Sequence, residues 1–375
     1  MNQLVKAPMF SLCDIKSGKS NTRDAEDNGE YIFFDRSKVI KKSSRYLYDC
    51  EALIIAGEGT EFLPKHYKGK FDLHQRAYAL HNFKPSINVK YLYYYLHHLK
   101  DYLPSVAVGA TVKSLRRRHF ENLPVVIFPI KTQQKIVSKL DSILAEIDKA
   151  KAMAEANSKN SHSLYSSAVD VIFNNLDNKY VKLSDCSHIG YGYTSKSSIE
   201  FNGPQYLRIT DIQEDNVDWL LVPRIQSKVS VVKKFLLKDG DIVFARTGAT
   251  TGKSFLIKDS PVSVFASYLI RVEADRSLVL PEYLRHFFKS KGYWNTINSG
   301  ISGTAQGGFN ASKLNELLFP LPDLDKQKKI VGELNKIEML SITAKKSFDM
   351  KVTLLNSLKK TILKQAFNGE LVKVA

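Results

Sequence analysis

The segment 241–254, DIVFARTGATTGKS, combines a β-type run with glycine, threonine and lysine, the residue types that bind phosphate groups. A nucleotide-binding P-loop has the spacing G-x-x-x-x-G-K, whereas Gly248 and Gly252 enclose one residue fewer. The following SFLIKD predicts a strand, where a P-loop needs the N-terminus of a helix. We therefore predict a loop that contacts DNA phosphate or a base edge. Its candidate residues are Arg246, Thr247, Thr250 and Lys253.

Two further segments, GATVKSLRRR at 109–118 and SGTAQGGFN at 302–310, carry basic and amide side chains just before a predicted helix. Arginine can hydrogen-bond guanine in a bidentate manner, and Gln and Asn can do the same with adenine. The triple arginine equally fits a solvated face that touches only phosphate, and the sequence leaves this open. The candidates for DNA contact are Thr111, Lys113, Arg116, Arg117, Arg118, Gln306 and Asn310. A second set, equally compatible with structural roles, is Gln75, Arg76 and Arg208.

Residue patterns for catalysis are missing from the sequence. It contains no G-x-G-x-x-G before a helix, no N-P-P-Y or D-P-P-Y box of the amino-methyltransferases, and no carboxylate–carboxylate–lysine nuclease cluster. No His/Cys cluster has metal-ligand spacing, and three cysteines cannot form a four-cysteine zinc site. We therefore predict a chain without catalytic residues, cofactor or metal of its own.

The 375-residue chain has a formal net charge of +17, and the excess of Lys and Arg is spread along it. A basic folded protein of this size often binds nucleic acid, although many cytoplasmic proteins are basic without such a partner. No apolar run approaches the roughly 18 residues that span a bilayer. The N-terminus lacks a signal-peptide core, and the few cysteines fit a reducing compartment. We expect a cytoplasmic protein without membrane contact.

The chain repeats itself. Residues 109–174 align without a gap over 303–368, and the identical pairs include glycines, leucines and glutamines: Gly109/Gly303, Leu123/Leu317, Gln133/Gln327 and Leu140/Leu334. Upstream the match is weaker, with YLYYYL (91–96) over YLRHFF (283–288), IIAGEG (54–59) over VFARTG (243–248), and AYAL (77–80) over SYLI (267–270). This is the order A–B–A′–B′. Divergent A units and similar B units are expected when the A units read different targets.

Each B unit predicts an amphipathic helix of about 40 residues, because apolar residues recur at three- and four-residue spacing. Helices of this length favour a coiled coil, and the simplest pairing is antiparallel, with each other. The predicted packing residues are Ile136, Leu140, Ile143, Ile147, Ile330, Leu334, Ile337, Leu355, Leu358 and Ile362. The A units read as mixed and strand-rich. The predicted fold is therefore α+β, with strand-rich domains at 1–130 and 179–323, a spacer helix at 131–178, and a second spacer helix with the tail at 324–375.

The chain resembles a type I restriction-modification specificity subunit (HsdS) over essentially its full length. The resemblance rests on GATVKSL and SGTAQGG, the helix starts TQQKIVSKLDSILAEIDKAK and DKQKKIVGELNKIE, DIVFARTGATTGK, and ILKQAFNGELV, in an order that occurs twice. One departure is that GATVKS lacks the following glycines of SGTAQGG, so the two loops are expected to differ in shape.

The resemblance implies a pseudo-two-fold repeat in which each A unit is a target recognition domain for one half of a bipartite site in double-stranded DNA. The helices would space the domains and bind two methyltransferase subunits. S-adenosylmethionine in those subunits, and ATP with Mg²⁺ in restriction subunits, would supply the chemistry, so this chain would not be an enzyme by itself. The alternatives are a stand-alone DNA-modifying enzyme and a coiled-coil regulator that binds proteins.

Overall fold

The computed structural model describes residues 5–37, 39–177, 179–213, 215–301 and 310–372. The chain divides into two compact units, which are Met1–Glu155 with Asp349–Ala375 (unit 1) and Ala156–Phe348 (unit 2). Each unit contains one strand-rich domain, part of the first long helix and part of the second.

Unit 1 is built on a six-stranded sheet with the order β2-β7-β5-β6-β3-β4, in which only β3 and β6 run parallel. Its strands are β1 (Lys6–Pro8), β2 (Asp14–Ser17), β3 (Tyr31–Phe34), β4 (Lys41–Ser43), β5 (Tyr48–Ala56), β6 (Lys65–Leu73), β7 (Ala77–His81) and β8 (Pro124–Val126). Its helices are α1 (Val89–His98), α2 (Tyr102–Val106), α3 (Arg117–Glu121) and the start of α4 (Ile130–Asn174). Strand β1 pairs with β8.

Residues 52–55 of the central strand β5 are buried on both faces of the sheet, since consecutive side chains of a strand point to opposite sides. Leu53 and Ile55 of β5 pack against α1 and the long helices, while Ile54 joins Phe34 and Phe71 on the other face. The near-continuous apolar run ALIIA thus follows from double coverage. Helix α1 begins where the Asn88 side chain accepts a hydrogen bond from the backbone N–H of Tyr91, at 3.0 Å, an N-cap interaction.

Unit 2 contains a four-stranded sheet with the order β10-β17-β14-β15 and a separate parallel pair, β11 with β16. Its strands are β9 (Tyr180–Lys182), β10 (Ser187–Tyr191), β11 (Gln205–Leu207), β12 (Ile212–Gln213), β13 (Asn216–Val217), β14 (Ile242–Ala245), β15 (Ser254–Leu256), β16 (Ser263–Phe265), β17 (Leu269–Ala274) and β18 (Leu318–Pro320). Its helices are α5 (Val229–Phe235), α6 (Pro281–Phe287), α7 (Lys291–Ile301), α8 (Ala311–Asn315) and the start of α9 (Leu324–Phe367).

The two units repeat the same backbone hydrogen bonds. The N–H of His74 donates to Phe34 O at 2.9 Å in unit 1, and the N–H of Ala266 donates to Leu207 O at 2.9 Å in unit 2. One correction concerns the match of AYAL with SYLI, which paired two tyrosines. Ala77 N–H bonds His74 O at 2.9 Å, and Leu269 N–H bonds Ala266 O at 2.9 Å, so Ala77 corresponds to Leu269. The backbone hydrogen bonds between strands, rather than identical residue types, therefore set how the two units align.

A buried glutamine joins each domain to its long helix. The Gln133 Oε1 accepts a hydrogen bond from the N–H of Asn88 at 2.8 Å, and its Nε2 donates to Ser86 O at 2.9 Å and Phe128 O at 2.8 Å. We call this arrangement the glutamine clasp. Both Gln133 and its counterpart in unit 2 have 0% exposure, so the amide is shielded from water and the three bonds replace hydration.

Unit 2 has the same clasp at Gln327. Its Oε1 accepts from the N–H of Leu280 at 2.8 Å, and its Nε2 donates to Leu278 O at 2.9 Å and Pro322 O at 2.8 Å. Asn88 and Leu280 immediately precede α1 and α6. Each clasp therefore fixes the start of a domain helix against the first turn of a long helix.

Within each unit the two long helices run antiparallel. In unit 1, Lys139 Nζ donates to Leu371 O at 3.0 Å, and Asp148 pairs with Lys359 at 2.8 Å, so the chain positions rise on one helix as they fall on the other. In unit 2, Ser341 Oγ donates to Ser161 O, while Phe173 shares a core with Leu334.

The ten predicted helix-packing residues fall into three groups. The buried ones are Ile136, Leu140, Ile147, Ile330 and Leu334. The half-buried ones are Ile143, Ile337, Leu355 and Ile362. Contrary to the prediction, Leu358 is 46% exposed, because the packed face of α9 passes through Leu355, Ile362 and Leu363 instead.

We expect Gln133→Leu to lower the free energy of unfolding by about 2 kcal/mol, because it leaves one buried backbone N–H and two carbonyls without their partner. Gln134→Leu is the matched control, since Gln134 is the exposed neighbour on the same helix. Urea unfolding of the full chain measures the difference. Equal midpoints for the two variants would contradict a stabilising role of the clasp.

Candidate nucleic-acid interface

Three loops of unit 1 meet beside the ends of β5 and β6, and we call residues 57–59, 74–76 and 108–118 the first loop edge. The N–H of Gly57 bonds Arg76 O at 2.8 Å, the N–H of Leu115 bonds Gly57 O at 2.8 Å, and the N–H of Gly59 bonds Lys113 O at 3.0 Å. The structure therefore brings the predicted residues around 75 and those around 113 onto one edge, which the sequence did not show.

The loop 108–114 is closed by a reciprocal pair of backbone hydrogen bonds. Val108 N–H bonds Ser114 O at 2.9 Å, and Ser114 N–H bonds Val108 O at 2.7 Å. Gly109 has a φ of +119°, and a Cβ there would lie 2.2 Å from Val112 O, so glycine is required. The tight closure leaves the side chains of Thr111 and Lys113 exposed.

The basic side chains of this edge differ in how they are held. Arg116, Arg117 and Arg118 are exposed, and Arg117 pairs with Glu121 at 2.8 Å, one helical turn away. Arg76 pairs with the half-buried Glu58. An exposed pair one turn apart is weak in water, so the guanidinium groups of the triple arginine can reorient toward a phosphate.

The turn 74–76 carries an amide and an imidazole with fixed partners. Gln75 Nε2 donates to Asn21 Oδ1 at 2.6 Å. The Arg76 N–H donates to His74 Nδ1 at 3.0 Å, and burial lowers the pKa of His74. His74 therefore stays neutral near pH 7 and keeps the acceptor nitrogen that this hydrogen bond needs.

The loop 246–253 of unit 2 connects two antiparallel strands, β14 and β15. The N–H of Gly252 bonds Ala245 O at 2.9 Å, the N–H of Ala245 bonds Lys253 O at 2.9 Å, and Gly248 and Gly252 have φ values of +78° and +85°. A strand follows the loop, as predicted, so this segment has hairpin geometry. Thr247 and Thr250 are half-buried and Lys253 is exposed.

Tyr191 joins this loop to the segment before α8. The guanidinium of Arg246 lies 5.1 Å from the Tyr191 ring centroid and donates to Ser267 O at 3.2 Å. The Tyr191 hydroxyl accepts the N–H of Ala311 at 3.0 Å. We call residues 191, 208, 246–253, 267–268 and 310 the second loop edge.

Asn310 and Arg208 occupy defined structural positions at this edge. Asn310 Oδ1 accepts the N–H of Lys313 at 2.9 Å and caps α8, so this oxygen is already bonded. Arg208 forms a two-point contact with Asp211, at 2.7 and 3.0 Å. Gln306, the remaining predicted residue, lies outside the described residues.

The sequence model of the family described as type I restriction modification DNA specificity domain matches residues 9–156 and 175–348. The chain belongs to this family. The type I restriction enzyme EcoDI specificity subunit of Escherichia coli is 22% identical over 392 residues, covering 96% of this chain and 87% of that protein. The EcoKI specificity subunit of Escherichia coli strain K12 is 25% identical over 292 residues, covering 72% of this chain and 63% of that protein.

Solved structures show the same fold. A chain from a study of complex assembly and conformational transition of the type I R-M system has a TM-score of 0.74 at 14% identity, covering 99% of this chain and 100% of that one. The HsdS subunit from Thermoanaerobacter tengcongensis has a TM-score of 0.57 at 15% identity, covering 98% and 97%. These structures confirm the predicted α+β fold, and the match to the family model confirms the predicted function, a type I specificity subunit.

Sequence reasoning missed Glu58 and Tyr191 at the two loop edges of this type I specificity protein. It also missed Arg36 and Asp211, which lie outside the edges as defined but pair with Glu58 and Arg208. Glu58 lies in AGEGTE, whose two glycines signalled a tight loop. Arg36 pairs with it across 22 positions, which no local pattern indicates.

Among the described residues no group of three or more His, Cys, Asp or Glu side chains is arranged to hold a metal ion. In the same residues no helix is long and apolar enough to cross a bilayer.

Burial, with a smaller contribution from Asp14, raises the pKa of the Cys13 thiol to about 12, so this thiol stays protonated at pH 7.

We expect the triple change Arg116→Ala, Arg117→Ala and Arg118→Ala to weaken DNA binding and to flatten its salt dependence. The slope of log K against log salt should fall by about two to three, because each lost phosphate contact removes nearly one released counterion. Alanines at Lys328, Lys329 and Lys336, three exposed lysines of α9, remove the same charge and serve as control. An unchanged slope would remove this segment from the DNA interface.

Proposed function

We propose that the domains at 1–130 and 179–323 each read one half of a bipartite site in double-stranded DNA. The observation that carries this proposal is that the two loop edges share backbone hydrogen bonds but not side chains. Gly57 N–H bonds Arg76 O at 2.8 Å, and Arg246 N–H bonds Tyr268 O at 3.2 Å at the corresponding point. Unit 1 therefore has Gly57 and Glu58 at the positions where unit 2 has Arg246 and Thr247. Different base-reading groups on one scaffold favour two different half-sites.

The spacer helices, at 131–178 and within 324–375, would set the number of unread base pairs between the half-sites. Helix α4 begins in unit 1 and ends in unit 2, and α9 runs from unit 2 to unit 1. A continuous helix has a fixed rise of about 1.5 Å per residue. Its length would therefore fix which faces of the duplex the two domains can reach.

The long helices also carry large apolar side chains with high exposure. On α9, Met350, Leu354 and Leu358 recur every four residues and form one apolar stripe, and a contiguous exposed patch of this kind marks an interaction surface. In unit 1 the exposed apolar side chains are Met153, Met350, Leu354 and Leu358, and in unit 2 they are Leu164, Val171, Met339, Leu340 and Ile342. Since each unit has its own set, we propose that two methyltransferase subunits bind, one at each set. The exposure of Leu358 then has a cause.

Catalysis would belong to those partners. The described edges offer arginine, lysine and threonine, which bind phosphate and base edges, while methyl transfer to a base requires that the base leave the stack for a cofactor-containing pocket. S-adenosylmethionine would be held by the methyltransferase subunits, and ATP with Mg²⁺ by restriction subunits. The alternative of a stand-alone enzyme requires methyl transfer by the pure chain incubated with S-adenosylmethionine and mixed DNA, and we expect none.

Inserting one helical turn in both long helices, after Glu155 and after Phe348, should lengthen the unread spacer and leave both half-sites unchanged. A turn adds about 5.4 Å, between one and two base-pair steps of about 3.4 Å. Methylome sequencing of cells that carry the variant with its partner subunits gives the half-sites and the gap together. Altered half-sites with an unaltered gap would contradict the spacer role.

We expect the double change Met350→Glu and Leu354→Glu to release one of the two methyltransferase subunits, because it places charge on an apolar contact surface of unit 1. Thr353→Glu with Asn356→Glu is the control, since both residues are exposed and polar on the same helix but lie off the stripe of Met350 and Leu354. The mass of the assembled complex by light scattering distinguishes one bound subunit from two. A complete complex from the Met350/Leu354 variant would refute this docking surface.

A further inference from the structure

In unit 1 two arginines from different loops share one carboxylate. Arg36 Nη1 donates to Glu58 Oε2 at 2.9 Å, and Arg76 Nη1 donates to Glu58 Oε1. The Glu58 side chain is only 13% exposed, whereas the side chains of Arg36 and Arg76 are 52% and 58% exposed. The carboxylate therefore lies beneath the two guanidinium groups, whose other N–H groups face solvent.

The backbone around Glu58 holds that carboxylate in place. Glu58 forms an isolated β-bridge with Ser114, and the N–H groups of the glycines on either side of it, Gly57 and Gly59, bond carbonyls of the two neighbouring loops at 2.8 and 3.0 Å. Each carboxylate oxygen of Glu58 is thus directed at one arginine, because the backbone is fixed at the three consecutive residues 57, 58 and 59.

In unit 2 an arginine is likewise held by a carboxylate, which here belongs to Asp211. Asp211 Oδ1 accepts from Arg208 Nη2 at 2.7 Å, and Asp211 Oδ2 accepts from Arg208 Nε at 3.0 Å and from the Arg208 N–H at 2.8 Å. The Asp211 side chain is 9% exposed and that of Arg208 is 42% exposed. Again the acid lies below and the guanidinium faces outward.

Each domain has an arginine shortly after its parallel partner strand, at neighbouring rather than identical positions of the repeat, because Arg208 directly follows Leu207 whereas Arg36 is the second residue after Phe34. Arg36 follows β3 and Arg208 follows β11, and each of these strands is the parallel partner in its domain. The carbonyls of Phe34 and Leu207, at the ends of β3 and β11, accept the matching backbone N–H groups of the parallel strands, both at 2.9 Å. The acids come from different places in the chain, so the shared feature is the held arginine.

An arginine held in this way is suited to a base edge more than to a phosphate. Its guanidinium fork loses less rotamer freedom on binding, because one side is already bonded. A carboxylate beside it repels a phosphate, which carries a full charge, more strongly than the uncharged edge of a base pair. The commonest bidentate partner of an arginine fork in the major groove is guanine, through O6 and N7.

We propose that Glu58 and Asp211 are positioning residues that hold Arg36 and Arg76, and Arg208, for hydrogen bonds to a guanine in each half-site. This inference rests on the proposed function, in which each unit reads one half-site.

The test uses the full chain assembled with its methyltransferase subunits. Methylation rates are measured on a DNA library that carries every single-base change in both half-sites. Glu58→Gln keeps the side-chain shape and removes the charge. We expect it to reduce the preference for guanine at one position of one half-site by about tenfold, leave the other half-site unchanged, and raise binding to unrelated DNA. Asp211→Asn should do the same in the other half-site.

Two further variants separate positioning from stability. Asp101→Asn is the control, because it removes a carboxylate paired with an exposed lysine of the same unit, Lys360, that lies outside the loop edges, and we expect an unaltered base profile. Arg36→Lys with Arg76→Lys keeps both charges but loses the forks, so it should reproduce the altered profile even if Glu58→Gln unfolds.

The outcomes are distinguishable. A bipartite wild-type profile that neither Glu58→Gln nor the lysine pair changes would overturn this inference and leave the proposed function standing. An even change at all positions would indicate phosphate contact and would also overturn it. A wild-type complex without bipartite preference would overturn both.

Discussion

The buried glutamine at the start of each long helix is the constraint on which the rest of the structure depends. A side-chain amide withdrawn from water must find partners inside the protein, and both Gln133 and Gln327 find three backbone groups at the junction of domain and helix. The tyrosine hydroxyls of Tyr91 and Tyr283 reinforce this junction by donating to Val126 O at 2.7 Å and Pro320 O at 2.6 Å. Because hydrogen bonds are directional, they fix the angle between each domain and its long helix, whereas apolar packing alone would allow the two to slide.

A junction fixed in this way allows the loops to diverge. The clasp, the strand ladder and the helix starts recur in both units with nearly equal distances, while the loop edges carry Glu58 with two arginines in one unit and Arg246 stacked on Tyr191 in the other. Loops supported by a frame that both units share can change side chains with little loss of stability, because substitutions of exposed residues usually alter stability only slightly. The duplicated clasp, strand pairing and helix starts thus support two loop edges that differ in their side chains.

The sequence pattern indicated the two long helices but not the partners of the side chains at the loop edges, for physical reasons. Helical periodicity over many residues predicted helices at 131–178 and from 324, close to Ile130–Asn174 and Leu324–Phe367. The identity of Gln133 with Gln327 was visible, but not the backbone groups that they bond. Leu358 fits the apolar spacing yet is exposed, because spacing does not tell a core face from a partner face. Ion pairs such as Arg36 with Glu58 depend on loop closure, which no local pattern encodes.

Unit 1 is assembled from both ends of the chain, since Met1–Glu155 and Asp349–Ala375 form it together. The rings of Tyr91 and Tyr95 in its core lie edge-on against Phe367, with centroids 5.3 and 5.0 Å apart. During synthesis these aromatic rings stay uncovered until residue 367 has left the ribosome. The core of unit 1 is therefore completed only after unit 2 has been synthesised, and a nascent chain that stops before residue 367 leaves apolar surface exposed, which favours aggregation.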